Sequence, residues 1–258
     1  MAINFSAIRK KPFIGNLLQF PFRIISKEAK VRIIQGPLRG KKCIVGSSVH
    51  GCWLGSYELD KQRKFQQVVC SGDVVYDIGA HVGFYSLLAS VLTGSRGTVY
   101  SFEPFERNLH FLRTHLSLNR ISNCHVFPVA VSSSDGYSAF EITAEPAMAH
   151  LTSVPRDSTI TVRTVTIDNL VATNRICPPD VIKCDIEGGE HEALIGARQT
   201  LRQFRPIIFL STHGREIHEA CCRELIDSKY SLAPLDHAAL EQASDLFAAS
   251  SQSTVACR

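Results

Sequence analysis

The segment DVVYDIGAHVGFY, residues 73–85, constrains the fold more than any other part of this chain. Residues 74–76 are β-branched or aromatic, the composition of a buried central strand. Gly79 and Gly83 permit a tight turn and a close backbone approach to a ligand. Residues 84–92 are apolar enough for a helix packed on a sheet. Strand, glycine turn and helix in that order place a ligand at the strand's carboxyl end, facing the helix N-terminus. An ordinary glycine turn after a strand is the alternative reading.

The spacing narrows the ligand. A dinucleotide loop reads G-x-G-x-x-G, and this one reads G-x-x-x-G. Asp77 precedes the first glycine by two positions, and a carboxylate there suits a cationic ligand better than a pyrophosphate. S-adenosylmethionine, with its ammonium and sulfonium, fits that description. A second short strand, TVYSF over 98–102, ends at Glu103-Pro104. An acidic residue at the end of the second strand is where a Rossmann-like fold holds a ribose. Its two oxygens can accept from both ribose hydroxyls. Pro104 opens the helix that follows, to about residue 119, because its missing N–H costs nothing there. Glu103 as a plain helix-start carboxylate is the competing explanation.

A third cluster lies further on. Residues 181–184 read as a strand, DIEGGE over 185–190 as its carboxyl-end loop, and 191–204 as a helix. Asp185, Glu187 and Glu190 stand close together beside two glycines, which is costly unless something cationic is near. An acidic helix start is the alternative. His213 follows the strand over 206–210, again on the carboxyl side of the sheet, and can serve as a general base or as a structural histidine.

In combination these segments resemble the FkbM family of S-adenosylmethionine-dependent methyltransferases. The resemblance rests on GDVVYDIGAHVGFY (72–85), YSFEP with RNL (100–104 and 107–109), and AVS with DG (130–132 and 135–136). It continues through VTIDNL (165–170), IKCDIEGGE (182–190) and RPIIFLSTHG (205–214), so that it spans about residues 36–235. It implies a Rossmann-like α/β fold: a class I methyltransferase sheet, mostly parallel, with helices on both faces and a small N-terminal β-containing cap. It implies S-adenosylmethionine as cofactor and O-methylation of a hydroxyl on a sugar, glycan or secondary metabolite. The implied cofactor residues are Tyr57, Glu58, Asp77, Gly79, His81, Gly83, Phe84, Glu103, Pro104, Ala130 and Asp185. Asp185, Glu187 and His213 are the implied catalytic residues. Two positions depart from the family pattern: His81 stands where asparagine is usual, and Gly189 where alanine is usual. A nicotinamide-dependent oxidoreductase and a non-catalytic cofactor-binding module are the alternatives to this reading.

The 258 residues suffice for one α/β domain with additions. Net charge is only +4, so composition gives no argument for nucleic acid. Basic residues concentrate early, from Arg9 to Lys42, which allows at most peripheral membrane contact. Residues 13–22 are apolar but interrupted and too short to span a bilayer. No convincing signal peptide is present, and the expected location is cytoplasmic. The nine cysteines form no C-x-x-C pair. Cys70, Cys124 and Cys184 read as reduced small hydrophobes. No spaced metal-ligand set stands out, so a divalent metal has no support from spacing. The acceptor's identity and the oligomeric state are not encoded in any motif.

The expected organisation is an arm and cap over 1–65, with β-type runs at 43–45 and 53–58. A methyltransferase domain follows over 66–235, and then a tail over 236–258. An antiparallel insertion is expected between strands near 137–142 and 159–167, with an exposed loop over 145–156. Asp168 is expected to cap the helix after it. The tail reads as frayed, or as a helix over 238–249.

Overall fold

The computed structural model describes residues 25–141, 150–152, 159–235 and 238–253. The basic arm before residue 25 and most of the loop over 145–156 lie outside them.

The sheet is organised around strand β3, Val74–Ile78, which runs into the glycine loop. It pairs in parallel with β4, Thr98–Phe102, on one side and with β10, Val181–Cys184, on the other. β5, Cys124–Phe127, continues the parallel sheet beyond β4, and β11, Ile207–Ser211, continues it beyond β10. The chain therefore winds outward from β3 in both directions, and the switch point lies between β3 and β10. In open α/β sheets a ligand crevice forms at such a point, outside the strands' carboxyl ends.

Side-chain alternation explains why helices cover both faces. Val75, Val181, Ile207 and Phe209 belong to one buried cluster, with Phe65, Leu87 and Leu88. Tyr76, Ile78, Ile182, Cys184, Ile208 and Leu210 belong to another, with Leu194, Leu201 and Leu225. Successive residues of one strand point to opposite faces, so near-continuous apolar strands demand two apolar layers. The first layer includes helix α2, Leu59–Val68, and α3, Phe84–Thr93. The second includes α6, Glu190–Ile195, α7, Arg198–Phe204, and α8, Arg215–Asp227.

The expected helix over 191–204 is two helices. A Cβ on Gly196, between them, would overlap the carbonyl oxygen of Ser132, so the chain bends where it meets that loop. Asp168 caps a helix, but not the one it opens. Its carboxylate accepts from Gln199 N (2.9 Å) and Thr200 N (2.8 Å), the first turn of α7. The local helix α5, Ile167–Ala172, is capped by Thr166.

The cap has less β-structure than the sequence suggests. β1, Lys30–Arg32, and β2, Lys42–Ile44, form an antiparallel pair. Residues 53–58, expected as a strand, instead end helix α1, His50–Leu54, and turn at Gly55. There φ is +73°, and a Cβ would overlap the carbonyl oxygen of Gln35. The cap docks on α4, Glu106–Leu118, and the turn after it. Lys42 N donates to Asn119 Oδ1 (2.7 Å), and Ile44 N to His115 Nε2 (3.0 Å). His115 Nδ1 in turn donates to the carbonyl oxygen of Val82 (2.8 Å), inside the glycine loop.

The insertion forms a four-stranded sheet in the order β6-β9-β7-β8. Its members are β6, Ala130–Val131, β7, Gly136–Glu141, β8, His150–Thr152, and β9, Thr159–Val165. The β7–β9 and β7–β8 pairs are antiparallel, as expected, whereas β6 runs parallel to β9.

Over its described part the C-terminal segment is a single 3₁₀ turn, Leu240–Gln242, followed by a strand, in place of the expected frayed tail or helix over 238–249. β13, Asp245–Ala249, inserts antiparallel between β11 and β12, Ser231–Pro234. Its burial alternates, with Leu246 and Ala248 inside, so the sheet outweighs the helix propensity of the alanines. Cys70 is disulfide-bonded, not the reduced thiol expected from its apolar neighbours. It follows the end of α2 in a half-buried turn, accessible in a way its apolar flanks do not reveal.

Leu246 is fully buried between the layers. Leu246→Ala is expected to lower unfolding free energy by about 2–5 kcal/mol, read by denaturant titration, because the tail is part of the core.

Candidate active site

The loops after β3, β4 and β10 open on one pocket. It is lined by Gly79, His81, Glu103, Lys183, Asp185 and Glu187, with Tyr57 and Phe84 at the cap side. Pro104 and Ala130 also line it, beside apolar Phe102, Val129, Val131 and Ile186.

Gly79 sets the distance between the β3 and β10 loops. Its φ is +75°, and a Cβ would overlap the carbonyl oxygen of Asp185. Only glycine allows the β3 and β10 loops to touch there. Gly83, also at positive φ, packs on Leu112 and does not line the pocket.

Glu103 is buried at the pocket wall and already organised. Oε2 accepts from His81 N (2.8 Å) and Oε1 from Phe105 N (2.9 Å). Burial raises its pKa against the pull of those bonds. Oε1 also accepts a longer bond from Asn108 Nδ2 (3.4 Å), so Oε2 is the oxygen that keeps a further lone-pair direction for an incoming hydroxyl.

Asp77 does not face the pocket. Its carboxylate is 1 % exposed and lies between Ser86 Oγ (2.6 Å) and Lys183 Nζ (3.3 Å). Lys183 also donates to the carbonyl oxygen of Gly79 (2.7 Å). Burial would lower the Lys183 pKa, but Asp77, Asp185 and Glu58 outweigh it and raise it. The ammonium stays charged inside the protein, next to the pocket.

A second buried lysine joins the cap to the same site. Lys61 on α2 meets Glu58 (3.0 Å), Asp245 of β13 (2.6 Å) and Ser211 Oγ (2.8 Å), with Asp185 at 4.0 Å. Glu58 accepts from the Tyr85 hydroxyl (2.9 Å) and stands behind the lining rather than in it. Tyr57 lines the pocket and packs edge-on against Phe84 (5.4 Å). Sequence reasoning missed Lys61, Lys183 and Asp245. Lys183 alternates within an apolar strand, a position where a charge demands a buried partner; Lys61 and Asp245 carry no local signal.

Asp185 is ionised. Burial opposes this, but Lys183, Lys61 and His213 together lower its pKa. His213 is held from the other side. Its Nδ1 donates to Glu190 Oε1 (2.8 Å), and Nε2 faces Glu187 Oε2 (3.4 Å) and Asp185 Oδ1 (3.8 Å). The Glu190 bond, with Glu187 and Asp185, raises the His213 pKa to about 9. Glu190 is fully buried and also accepts from Ile186 N (3.2 Å) and Gly188 N (3.1 Å), which fixes the loop.

His81 behaves oppositely. Burial, Lys183 and Arg107 lower its pKa to about 4, so the ring is neutral. Its Nε2 is a buried atom without a hydrogen-bond partner among the described residues. Glu58, His81 and Glu187 all adopt left-handed backbone, φ 45°, 50° and 56°. Such conformations cost of order 1–3 kcal/mol each and concentrate where structure serves a site.

The Methyltransferase FkbM domain profile matches residues 77–237, well over half of the chain. Hexuronic acid methyltransferase AglP of Haloferax volcanii is 30% identical over 154 residues, 58% of this chain and 61% of that protein. The chain thus spans less than two thirds of that relative. Methyltransferase FkbM from Methylobacillus flagellatus superposes with a TM-score of 0.50 at 22% identity, covering 69% of this chain and 43% of the other. The profile describes a methyltransferase domain, which sets aside the nicotinamide reading.

Asp77→Asn would leave the Lys183 charge buried without its partner. The expected loss is about 3–5 kcal/mol of stability by denaturant titration. Removing the exposed Arg63–Asp60 pair should cost under about 1 kcal/mol.

Proposed function

The chain belongs to the FkbM methyltransferase family, and on that premise we propose that it transfers a methyl group from S-adenosylmethionine to a sugar hydroxyl. One observation carries the reading: Glu103 and the ionised Asp185 line a single pocket, on strands that flank the β3 glycine loop. The pocket suits the cofactor's chemistry. Glu103 offers a carboxylate for ribose hydroxyls, apolar Phe102, Val129 and Val131 offer a surface for a base, and His81 Nε2 has no partner among the described residues. When bound, the cofactor supplies an electrophilic methyl group on a sulfonium.

The protein's part is alignment and proton removal. Holding the reacting groups in line can contribute on the order of 7–11 kcal/mol. Asp185 and Glu187 hold the acceptor at the open side of the pocket. Asp185 is the carboxylate positioned to take the hydroxyl's proton, because His213 keeps its own proton at neutral pH. Asp77 acts indirectly in this scheme: it balances Lys183, and Lys183 keeps Asp185 ionised. Tyr57 and Phe84 close the cap side, while Glu58 anchors Tyr85 and Lys61 behind them. The relative named for hexuronic acid supports a sugar acceptor, either free or within a glycan. Among the described residues no helix is long and apolar enough to cross a membrane.

Calorimetric titration with S-adenosylhomocysteine should show saturable binding that weakens at least about tenfold in Glu103→Ala, since a charge-assisted hydrogen bond is worth roughly 1.5–3 kcal/mol. Wild-type protein that stays folded and binds neither S-adenosylmethionine nor its product would contradict the proposal. With hexuronate-containing acceptors, mass spectrometry should find one added methyl group on oxygen. Asp185→Asn should then lower kcat by about 10²–10⁴-fold, the usual contribution of a proton-transfer group.

A further inference from the structure

We infer that Asp185, Glu187 and His213 form a divalent-cation site at the rim of the pocket. Asp185 and Glu187 come from the β10 loop and His213 from the segment after β11, so no local spacing announces the set. One ligand atom of each lies within 4.8 Å of the others.

The asymmetry of the His213 ring is the first argument. Its Nδ1 makes an ordinary hydrogen bond of 2.8 Å to Glu190, which is fully buried and fixed by two backbone N–H groups. That bond holds the Nδ1 hydrogen and aims Nε2 at the two other carboxylates; an ion bound there would displace the second ring proton that His213 keeps without it. A carboxylate that orients a histidine through one nitrogen while the other meets a metal is a common outer-shell arrangement.

The separations are the second argument. Nε2 stands 3.4 Å from Glu187 Oε2 and 3.8 Å from Asp185 Oδ1. Both exceed a good N–H···O bond, which lies near ~2.7–3.2 Å. They are close to the edge of a coordination polyhedron: ligand bonds of about 2.1 Å place neighbouring ligand atoms ~3.0–3.4 Å apart. The set as a whole spans up to 4.8 Å, so the side chains would close in by up to about 1.5 Å around an ion.

Placement and access are the third. The two carboxylates come from one loop and meet His213 across the pocket's rim. The ligand side chains are 17 %, 31 % and 35 % exposed, open enough for an ion and an acceptor to enter. Two carboxylates with one imidazole suit manganese or magnesium, and zinc if water is displaced.

The role of such an ion in transfer rests on the function proposed above; its binding does not. A hydroxyl coordinated at this rim would become acidic enough to release its proton to water, with its oxygen left as the nucleophile. Asp185 takes that proton itself where no ion is bound; with the ion in place it is a ligand, and water is the acceptor.

The test is titration of EDTA-treated, desalted full-length protein with Mn²⁺ alone. Free Mn²⁺ is followed by electron paramagnetic resonance, with calorimetry using Mn²⁺, Mg²⁺ and Zn²⁺ in parallel. One saturable site per chain is expected, weakened at least about tenfold in Glu187→Gln and in His213→Gln. It should be unchanged in the exposed control Glu219→Gln. Retained S-adenosylhomocysteine binding certifies that each variant is folded. Absence of saturable binding for all three ions in folded wild type, or Mn²⁺ affinity undiminished in both ligand variants, would overturn the inference. EDTA-treated protein that binds S-adenosylhomocysteine but no ion would leave the cofactor reading intact and remove only this one. Wild type that binds the ion but no cofactor would do the reverse.

Discussion

The buried ammonium of Lys183 is the fixed point of this molecule. It sits in the middle of β10 with almost no exposure, bonded to Gly79 O and Asp77, beside Asp185 and near the Tyr85 ring. A charge in that position is tolerated only with partners in place. Satisfying it draws the carboxyl ends of β3 and β10 together and keeps Asp185 ionised at the pocket wall. Fold stability and site electrostatics are thus the same set of contacts. Lys61 repeats the device one layer out, tying the cap and the C-terminal strand β13 to the same carboxylate.

Two other links carry the cap's position to the glycine loop. His115 accepts from the hairpin at Ile44 and donates to Val82, so the cap and the β3 loop share one buried ring. Burial lowers its pKa, consistent with a neutral ring that must accept on one side and donate on the other. At the opposite rim Glu190 does similar work, holding the backbone of the β10 loop while orienting His213. Neither residue reaches the pocket, yet both fix atoms that do.

Much of this was legible in the sequence, for local reasons. Strand, glycine turn and helix over 73–93 follow from composition and spacing, and so do the carboxylates at the ends of β4 and β10. The sheet's parallel core follows from apolar strands alternating with amphipathic helices. What was hidden depends on long-range partners. The direction of Asp77 could not be read without knowing that Lys183 lies across from it. The strand at Asp245–Ala249 is written in helix-forming alanines, and pairing with β11 and β12 makes it a strand. The turn at Gly55 and the break at Gly196 answer to distant carbonyl groups. The Asp185, Glu187 and His213 constellation joins two loops that have no common pattern.

A crystal structure of the protein with S-adenosylhomocysteine bound tests the central claim most directly. The ribose hydroxyls should meet the Glu103 carboxylate, the base should lie against Phe102, Val129 and Val131, and the sulfur should point toward Asp185. A product bound elsewhere, or bound in this pocket with its ribose away from Glu103 and its sulfur away from Asp185, would contradict it.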